Sequence, residues 1–273
     1  MKKYELTAEF IEKWGKKLFR IKALISFGSV EAGELGGYVE KEDNLAQNGN
    51  AWVYGDAWVY DNARVYGDAE VYGDARVCDN AWVYDNARVY GDAEVYGDAR
   101  VCDNAWVYDN ARVYGDAEVY GDARVCDNAW VYDNARVYGD AEVYGDARVC
   151  DNAWVYDNAR VYGDAEVYGD AWVCDNARVC GNARVYGDAD YLLIGRIGSR
   201  FSFTTFFKNK DKGITVSCGC FLGTIAEFRA KVTDTHGNNK HAKMYNLAAD
   251  MAELQILGEE HFDKLNTNKS EPF

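Results

Sequence analysis

The stretch AWVYDNARVYGDAEVYGDARVCDN occupies residues 57–80 and recurs at 81–104, 105–128 and 129–152, then at 153–176 with Trp172 in place of Arg. It contains a shorter period, Ala-x-Val-Tyr/Cys-Gly/Asp-Asp/Asn, which runs for 23 uninterrupted hexads over residues 51–188. A period of six residues does not fit a helical repeat, but it fits a strand of four residues and a turn of two. Ala and Val then share one side of each strand, while the variable residue and the Tyr or Cys share the other. The pairs Gly-Asp, Asp-Asn and Gly-Asn suit turns with positive φ.

The charged residues of the repeat predict how many hexads form one coil. If three hexads close a triangular coil, each residue stacks on the residue 18 positions further along, so Glu118 lies between Arg100 and Arg136. The same spacing places a second group of residues between arginines, namely Glu94, Glu142, Glu166, Trp82, Trp106 and Trp130. A coil of four hexads would instead stack Glu on Glu and Arg on Arg, which is destabilising. The sequence therefore favours a mostly β fold of stacked parallel strands, about 4.8 Å apart, with valine and alanine inside.

The spacing of Val and Ala also resembles the hexapeptide repeat of left-handed parallel β-helices. That resemblance implies the left hand of the coil, since parallel crossovers are otherwise right-handed. Three hexads per coil give about eight coils and a prism about 37 Å tall. The passages GGYVEKEDNL at 36–45, VSCGCF at 216–221 and THG at 235–237 resemble uncharacterised bacterial and prophage hexapeptide-repeat proteins, which are often labelled as acyltransferases.

We divide the chain into three predicted parts. Residues 1–50 form an N-terminal cap of short strands and a first imperfect coil, which covers the open end of the stack. Residues 51–194 form the β-helix, and DYLLIGRIG at 190–198 is expected to finish it. Residues 195–273 form an α+β module with a hairpin around NKDKG at 209–213 and two helices. The first helix follows a capping box that begins at Thr224, and the second runs from His241 to Leu257.

Charge and composition exclude several partners. The hexads hold 11 Arg against 27 carboxylates, a net charge of −16, and the whole chain has a net charge of −15. Direct binding to nucleic acid or to an anionic membrane is therefore not expected. The sequence holds no run of 18 apolar residues, and its first residues do not read as a signal peptide, so we expect a cytoplasmic protein.

Catalytic residues are sought first among histidines and cysteines. The resemblance to hexapeptide acyltransferases implies a catalytic His in the coils, and a carbonic anhydrase of this fold would need three His ligands for zinc. The only histidines are His236, His241 and His261, all beyond the repeat. We therefore predict no catalytic residue, metal site or cofactor, and keep His236, His241, Cys218 and Cys220 as secondary reactive positions. Cys218-Gly-Cys220 is expected to place two thiols on one side of a strand, and the six cysteines of the repeat are expected to be free thiols.

The outward positions of the repeat carry 17 Tyr and seven Trp. Stacked rings stabilise neighbouring strands, but faces this aromatic also predict a homo-oligomer, a dimer or a trimer. The candidate interaction surface comprises Trp82, Trp106, Trp130, Trp154, Tyr84, Tyr108, Tyr132 and Tyr156. The favoured function is a non-enzymatic scaffold, associated with phage or prophage, that presents these acidic and aromatic faces and the C-terminal module to a protein partner. The alternatives are an acidic mimic of nucleic acid that inhibits a host DNA-binding or defence protein, and an acyltransferase.

Overall fold

The computed structural model describes residues 1–259. His261, one of the three histidines, lies outside the described residues. The fold is a parallel β-solenoid of about eight coils, preceded by an N-terminal hairpin and followed by a small antiparallel sheet and two helices.

Each hexad contributes one short strand, made of its variable residue and its valine, and each strand pairs in parallel with the equivalent strand of the next coil. The three hexads of a coil supply three flat sheets, which we call faces 1, 2 and 3. Face 1 contains Trp52–Val53, Glu70–Val71, Arg88–Val89, Trp106–Val107, Arg124–Val125, Glu142–Gly145, Arg160–Gly163 and Arg178–Val179. Face 2 contains Trp58–Val59, Arg76–Val77, Glu94–Val95, Arg112–Val113, Trp130–Val131, Arg148–Val149, Glu166–Val167 and Arg184–Val185. Face 3 contains Arg64–Val65, Trp82–Val83, Arg100–Val101, Glu118–Val119, Arg136–Val137, Trp154–Val155 and Trp172–Val173.

The interior of the prism consists of the valine and alanine of every hexad, all of them at most 1% exposed. Burying each valine contributes roughly 1.5–3 kcal/mol. The first turn residue has a positive φ in almost every hexad, both where it is Gly, as in Gly97, and where it is Asp, as in Asp79. The predicted alternation and turn chemistry are confirmed.

The N-terminal end of the stack is covered by a hairpin of strands Tyr4–Lys13 and Lys16–Ala23. Strand Leu35–Val39 then pairs in parallel with the first strand of face 2, and a 3₁₀ turn follows at Glu42–Asn44. In this pairing Tyr38 opposes Trp58, so the first coil is slightly longer than the regular coils and is imperfect, as predicted. The hairpin and the segment that follows it bury Trp52 completely, because the rings of Tyr4 and Phe27 pack edge-on against it.

The C-terminal end of the stack is covered by a four-stranded antiparallel sheet. Its strands are Tyr191–Ile197, Ser202–Lys208, Ile214–Cys218 and Phe221–Thr224, preceded by a 3₁₀ turn at Asp188–Asp190. The expected hairpin around residues 209–213 is confirmed. The prediction that residues 190–198 finish the stack is wrong, because Tyr191–Ile197 pairs with Ser202–Lys208 and not with a coil. Phe207 closes the core from above, and the Thr205 hydroxyl accepts the free backbone N–H of Arg178 at 3.0 Å.

Two helices pack on this sheet, α1 (Ile225–His236) and α2 (Lys240–Leu257). The predicted capping box is present, since Thr224 and Glu227 bond each other's backbone N–H groups. The guanidinium of Arg229 on α1 lies 2.7 Å from both Asp250 and the buried Glu253 on α2 and so joins the helices. Among residues 1–259, neither helix combines the length and apolar character needed to cross a bilayer.

Candidate functional site

The variable residues of the hexads form side-chain ladders that run along the three faces. Glu118 lies in register between Arg100 and Arg136, with guanidinium-to-carboxylate distances of 3.4 and 3.2 Å. Glu94, Glu142 and Glu166 occupy equivalent positions, so the predicted 18-residue register is confirmed. Exposed ion pairs of this kind contribute only about 0.2–1 kcal/mol each, but every coil repeats them.

The tryptophans of the candidate interaction surface sit in the same ladders, next to arginines. Arg88 and Arg124, for example, lie 5.4 and 5.5 Å from the ring of Trp106. The structure places Trp106 on face 1, Trp130 on face 2, and Trp82 and Trp154 on face 3. The sequence repeat of four hexads moves each successive tryptophan to the next face, because a coil holds only three. The four tryptophans therefore do not form one continuous surface.

Individual tryptophans are less accessible than the outward pattern predicts. Trp82 is 38% exposed and Trp172 is 46% exposed. Trp106, Trp130 and Trp154 are half-buried against arginine side chains. The expectation that all seven repeat tryptophans point into solvent is wrong for Trp52, which the N-terminal hairpin covers completely.

The tyrosines line the three corners of the prism, where they form stacked columns. Tyr84, Tyr108, Tyr132 and Tyr156 each stack on the tyrosine one coil below, at centroid distances of 4.9–5.0 Å and nearly parallel planes. Above each of them the next residue in the column is a cysteine, namely Cys102, Cys126, Cys150 and Cys174. These four tyrosines are thus the upper ends of short ring stacks. Tyr84 and Tyr156 share the corner that follows face 3, whereas Tyr108 and Tyr132 lie on the other two corners.

The chemistry of these columns is that of packed, neutral groups. Burial and contact with the Cys102 thiol raise the pKa of Tyr84 above its ordinary value. Burial raises the pKa of Cys78 to about 11. A thiol that stays protonated is a poor nucleophile. All eight cysteines of the chain are free.

The corners also carry the acidic residues of the repeat. Asp79, at φ 58°, accepts a hydrogen bond from the backbone N–H of Gly97 one coil above, at 3.1 Å. The side-chain amide of Asn104 donates a hydrogen bond to the carboxylate of Asp122 one coil above, at 3.1 Å. Almost every hexad places one carboxylate at its corner, either in the first or in the second turn position. The three corners are therefore three acidic rows that run the length of the prism.

The secondary reactive positions gather in the C-terminal module. Cys218, Cys220 and His236 line one cavity of about 200 Å³, next to Tyr245. The ring of His236 stacks on Tyr245 at 5.7 Å and lies 5.8 Å from the ring of His241. The sequence alone did not bring these residues together, since the cysteines flank a turn of the sheet whereas His236 ends α1.

The local geometry of the two cysteines differs from the prediction. Residues 219 and 220 form the turn of the hairpin between Ile214–Cys218 and Phe221–Thr224, with Gly219 at φ 61°. The expectation that Cys218 and Cys220 lie on one side of a strand is therefore wrong. Cys218 accepts a hydrogen bond from Thr204 at 3.1 Å, whereas Cys220 is exposed. No group of three or more possible metal ligands occurs within residues 1–259.

A second cavity of about 320 Å³ lies where face 1 meets the C-terminal sheet, and sequence reasoning did not single it out. Arg160 and Arg178 face it, and they lie directly in register on successive coils. The 18-residue spacing could have revealed this pair, because it shows Arg stacked on Arg. The cavity itself could not have been found in that way, since Ser202 and Ser217 of the C-terminal sheet form its other wall.

Comparison with known proteins agrees with this architecture. A family model described as YdcK Beta solenoid repeat matches residues 57–73, 81–97, 105–121, 129–145, 153–169, 159–175 and 177–189. A search of curated proteins found no match to the chain. The repeat region of this chain is therefore a parallel β-solenoid whose hexads are similar to the YdcK β-solenoid repeat.

Proposed function

We propose that the protein is a non-enzymatic scaffold, a rigid rod that holds its C-terminal module at a fixed distance and orientation from its N-terminal hairpin and presents it to a protein partner. The observation that carries this proposal is the unbroken register of the stack. It runs from the pairing of Tyr38 with Trp58 to the pairing of Glu166 with Arg184. Backbone hydrogen bonds, ion pairs and stacked rings join successive coils, so bending the rod would break contacts on every face.

Both ends of the rod support the same function. Lys3 and Tyr4 of the hairpin bond to the backbone of Ala51 and Leu45, and the C-terminal sheet packs Phe207 on the last coil. Covered ends prevent the stack from adding further strands, which is how solenoid proteins avoid polymerisation. Each end also carries a folded element that the rod can display.

The C-terminal module offers a surface for assembly. Met244, Leu247, Met251 and Leu254 of α2 are 39–63% exposed, and their spacing of three, four and three residues places them in one row. Such a row is typical of a helix that pairs with another helix. The row is symmetric about its centre, so an antiparallel second copy would place Met244 beside Leu254 and Leu247 beside Met251. We propose that the occupant of this row is a second copy of the chain and that the protein is a dimer.

The dimer is tested by light scattering and sedimentation at high micromolar concentration. The wild-type chain is expected to be a dimer, and Leu247→Glu is expected to be a monomer with unchanged thermal stability. Trp106→Glu, on face 1 of the solenoid, is the control and is expected to stay dimeric. A wild-type monomer, or dissociation only in the Trp106 variant, would overturn the assignment to α2.

The scaffold is tested by shortening the rod. Deleting residues 81–152 removes three 24-residue units, which equal four whole coils, and leaves the order of the remaining hexads unchanged. We expect the protein to fold with the same relative orientation of its ends, and we expect the distance between them to fall by about 19 Å. Dyes at Lys13 and Asn238, both exposed, report that distance by energy transfer. A broad distribution of distances in the wild-type chain would contradict a rigid scaffold. The acyltransferase alternative requires binding of acyl-CoA, so a rise in melting temperature with acyl-CoA would contradict a non-enzymatic role.

The acidic mimic of nucleic acid is a second candidate, and the three corner rows favour it. The repeat carries 16 net negative charges over about 37 Å, or about one per 2.3 Å, against about one per 1.7 Å in duplex DNA. A basic DNA-binding protein should then bind the rod with an affinity that falls steeply with salt, and duplex DNA should displace it. Binding that does not depend on salt would contradict the mimic.

A further inference from the structure

One pair of arginines departs from the pattern of the side-chain ladders. Elsewhere in the described coils, each arginine of a ladder opposes a glutamate or a tryptophan, as Arg100 opposes Glu118 and Trp82. Arg160 and Arg178 instead oppose each other on face 1. Like charges directly opposite each other in a sheet are destabilising. The pair therefore forms a local concentration of positive charge in a strongly acidic protein.

The two guanidinium groups are only partly compensated. Nε of Arg160 lies 3.0 Å from the carboxylate of Glu142 on the coil below. Among the side chains that the structure describes, no carboxylate lies at ion-pair distance from the guanidinium of Arg178. Its backbone is held in place by the hydrogen bond to Thr205, so its side chain starts from a fixed position at the top of the stack.

The C-terminal sheet turns this pair into one wall of a cavity. The space of about 320 Å³ is lined by polar groups from both parts of the fold, chiefly Arg160, Arg178, Asn158, Asn176, Ser202 and Ser217. Its volume is at the lower end of the range for sites that bind small molecules. Ser217 is buried and Ser202 is half-buried. Guanidinium, amide and hydroxyl groups are all hydrogen-bond donors.

We propose that this cavity binds a phosphate monoester carried by a small molecule. Arginine presents its N–H groups in a fork that matches two oxygens of a phosphate group. A phosphate group has three terminal oxygens that can also accept from the serine hydroxyls of the opposite wall and from the Asn158 and Asn176 amides beside the arginines, whereas a carboxylate has only two oxygens. The bound anion would separate the two positive charges and remove their repulsion. This site is independent of the scaffold function proposed above.

The test is calorimetric titration of the full chain with inorganic phosphate and with glycerol phosphate, at constant ionic strength set with chloride. Arg178→Gln removes the charge and keeps most of the side-chain stem, and it is expected to weaken binding of both at least tenfold. Arg184→Gln is the matched control, since Arg184 lies on face 2 of the last coil, pairs with Glu166 and does not line the cavity. Its affinity is expected to stay within twofold of the wild type.

A second measurement separates binding from folding. Without phosphate, Arg178→Gln is expected to melt at the same temperature as the wild type or at a higher one, because a repulsive contact is lost. Phosphate is expected to raise the melting temperature of the wild type and of Arg184→Gln, but not that of Arg178→Gln. Equal phosphate affinity in the wild type and Arg178→Gln, an equal response to acetate and phosphate, or no binding by the wild type would each overturn the proposal.

Discussion

Two deletions that differ by a single hexad should have unequal effects on the stability of the rod, and the shorter deletion should be the more harmful. Removing residues 99–122 takes out one 24-residue unit, and removing residues 99–116 takes out one 18-residue coil. Both begin at the same alanine and end at a hexad boundary. Both variants therefore keep the core alternation and the turn pattern.

The difference lies in which variable residues meet at the junction. In the wild type, Trp82 opposes Arg100, Arg88 opposes Trp106 and Glu94 opposes Arg112. The 24-residue deletion recreates these three pairs with the equivalent residues of the next unit. The 18-residue deletion creates three new pairs, which are Trp82 with Glu118, Arg88 with Arg124 and Glu94 with Trp130.

The size of the effect follows from these pairs. Compared with the 24-residue deletion, the 18-residue deletion lacks two cation–π contacts of about 0.5–1 kcal/mol each and adds one arginine pair in repulsion. The number of ion pairs is the same in both variants, because the retained Glu118 still pairs with Arg136. The columns of tyrosine and cysteine cross the junction with the same number of ring stacks in both variants. We therefore expect the 18-residue deletion to be less stable by about 1–3 kcal/mol, although it retains one more hexad.

Equilibrium urea unfolding followed by circular dichroism and by tryptophan fluorescence measures this difference. High salt should reduce it, because salt screens the repulsion between Arg88 and Arg124. If the 18-residue deletion is as stable as the 24-residue deletion, or more stable, the ladder pairs do not contribute to the stability of the rod. The 24-residue deletion should also turn the C-terminal module by one face relative to the hairpin, since four hexads are one more than a coil.

The remaining predictions concern the corners and the C-terminal module. Burial raises the pKa of Cys78 from about 9 to about 11, so the folded state favours the neutral thiol. This contribution to stability is complete below pH 9 and is lost as the pH rises through 11. The melting temperature should therefore fall over that range, and it should fall less in Cys78→Ala. Gly97→Ala should destabilise the rod by about 1–3 kcal/mol, because φ is +72° and the new Cβ would lie 2.9 Å from the backbone of Gly115. Gly55→Ala is the control, since the nearest atom to its new Cβ is 3.7 Å away. In urea unfolding it should reduce the free energy of unfolding by less than Gly97→Ala does. Thr224→Ala should cost about 1 kcal/mol through loss of the helix cap, with faster hydrogen exchange confined to α1 and unchanged exchange in the coils.

The register of the solenoid could be predicted because the ladder charges distinguish three hexads per coil from four. Glu118 between Arg100 and Arg136 is a consequence of the 18-residue spacing alone, and the structure confirms it. The capping box at Thr224 was predictable for the same kind of reason, since both of its partners lie within one helical turn.

The candidate site was less predictable, because its geometry depends on how separate elements meet. Hexad alternation predicts an outward Trp52, but the hairpin covers it. Strand alternation predicts that Cys218 and Cys220 share a side, but a tight turn at Gly219 separates them. In both cases a contact from another element, or a change of chain direction, overrode the local pattern.

The number of hexads in a coil follows from the amino-acid sequence, since the charges of the ladders alternate along each face only when three hexads close one turn around the valine and alanine core. The same 18-residue spacing sets Arg160 opposite Arg178. The C-terminal end of the rod does not follow from the repeat: Tyr191–Ile197 leaves the stack for an antiparallel sheet, and this sheet encloses the two arginines with Ser202 and Ser217. Contacts along the repeat depend on a fixed sequence spacing, whereas contacts between the rod and its ends depend on the packing of surfaces with no common period.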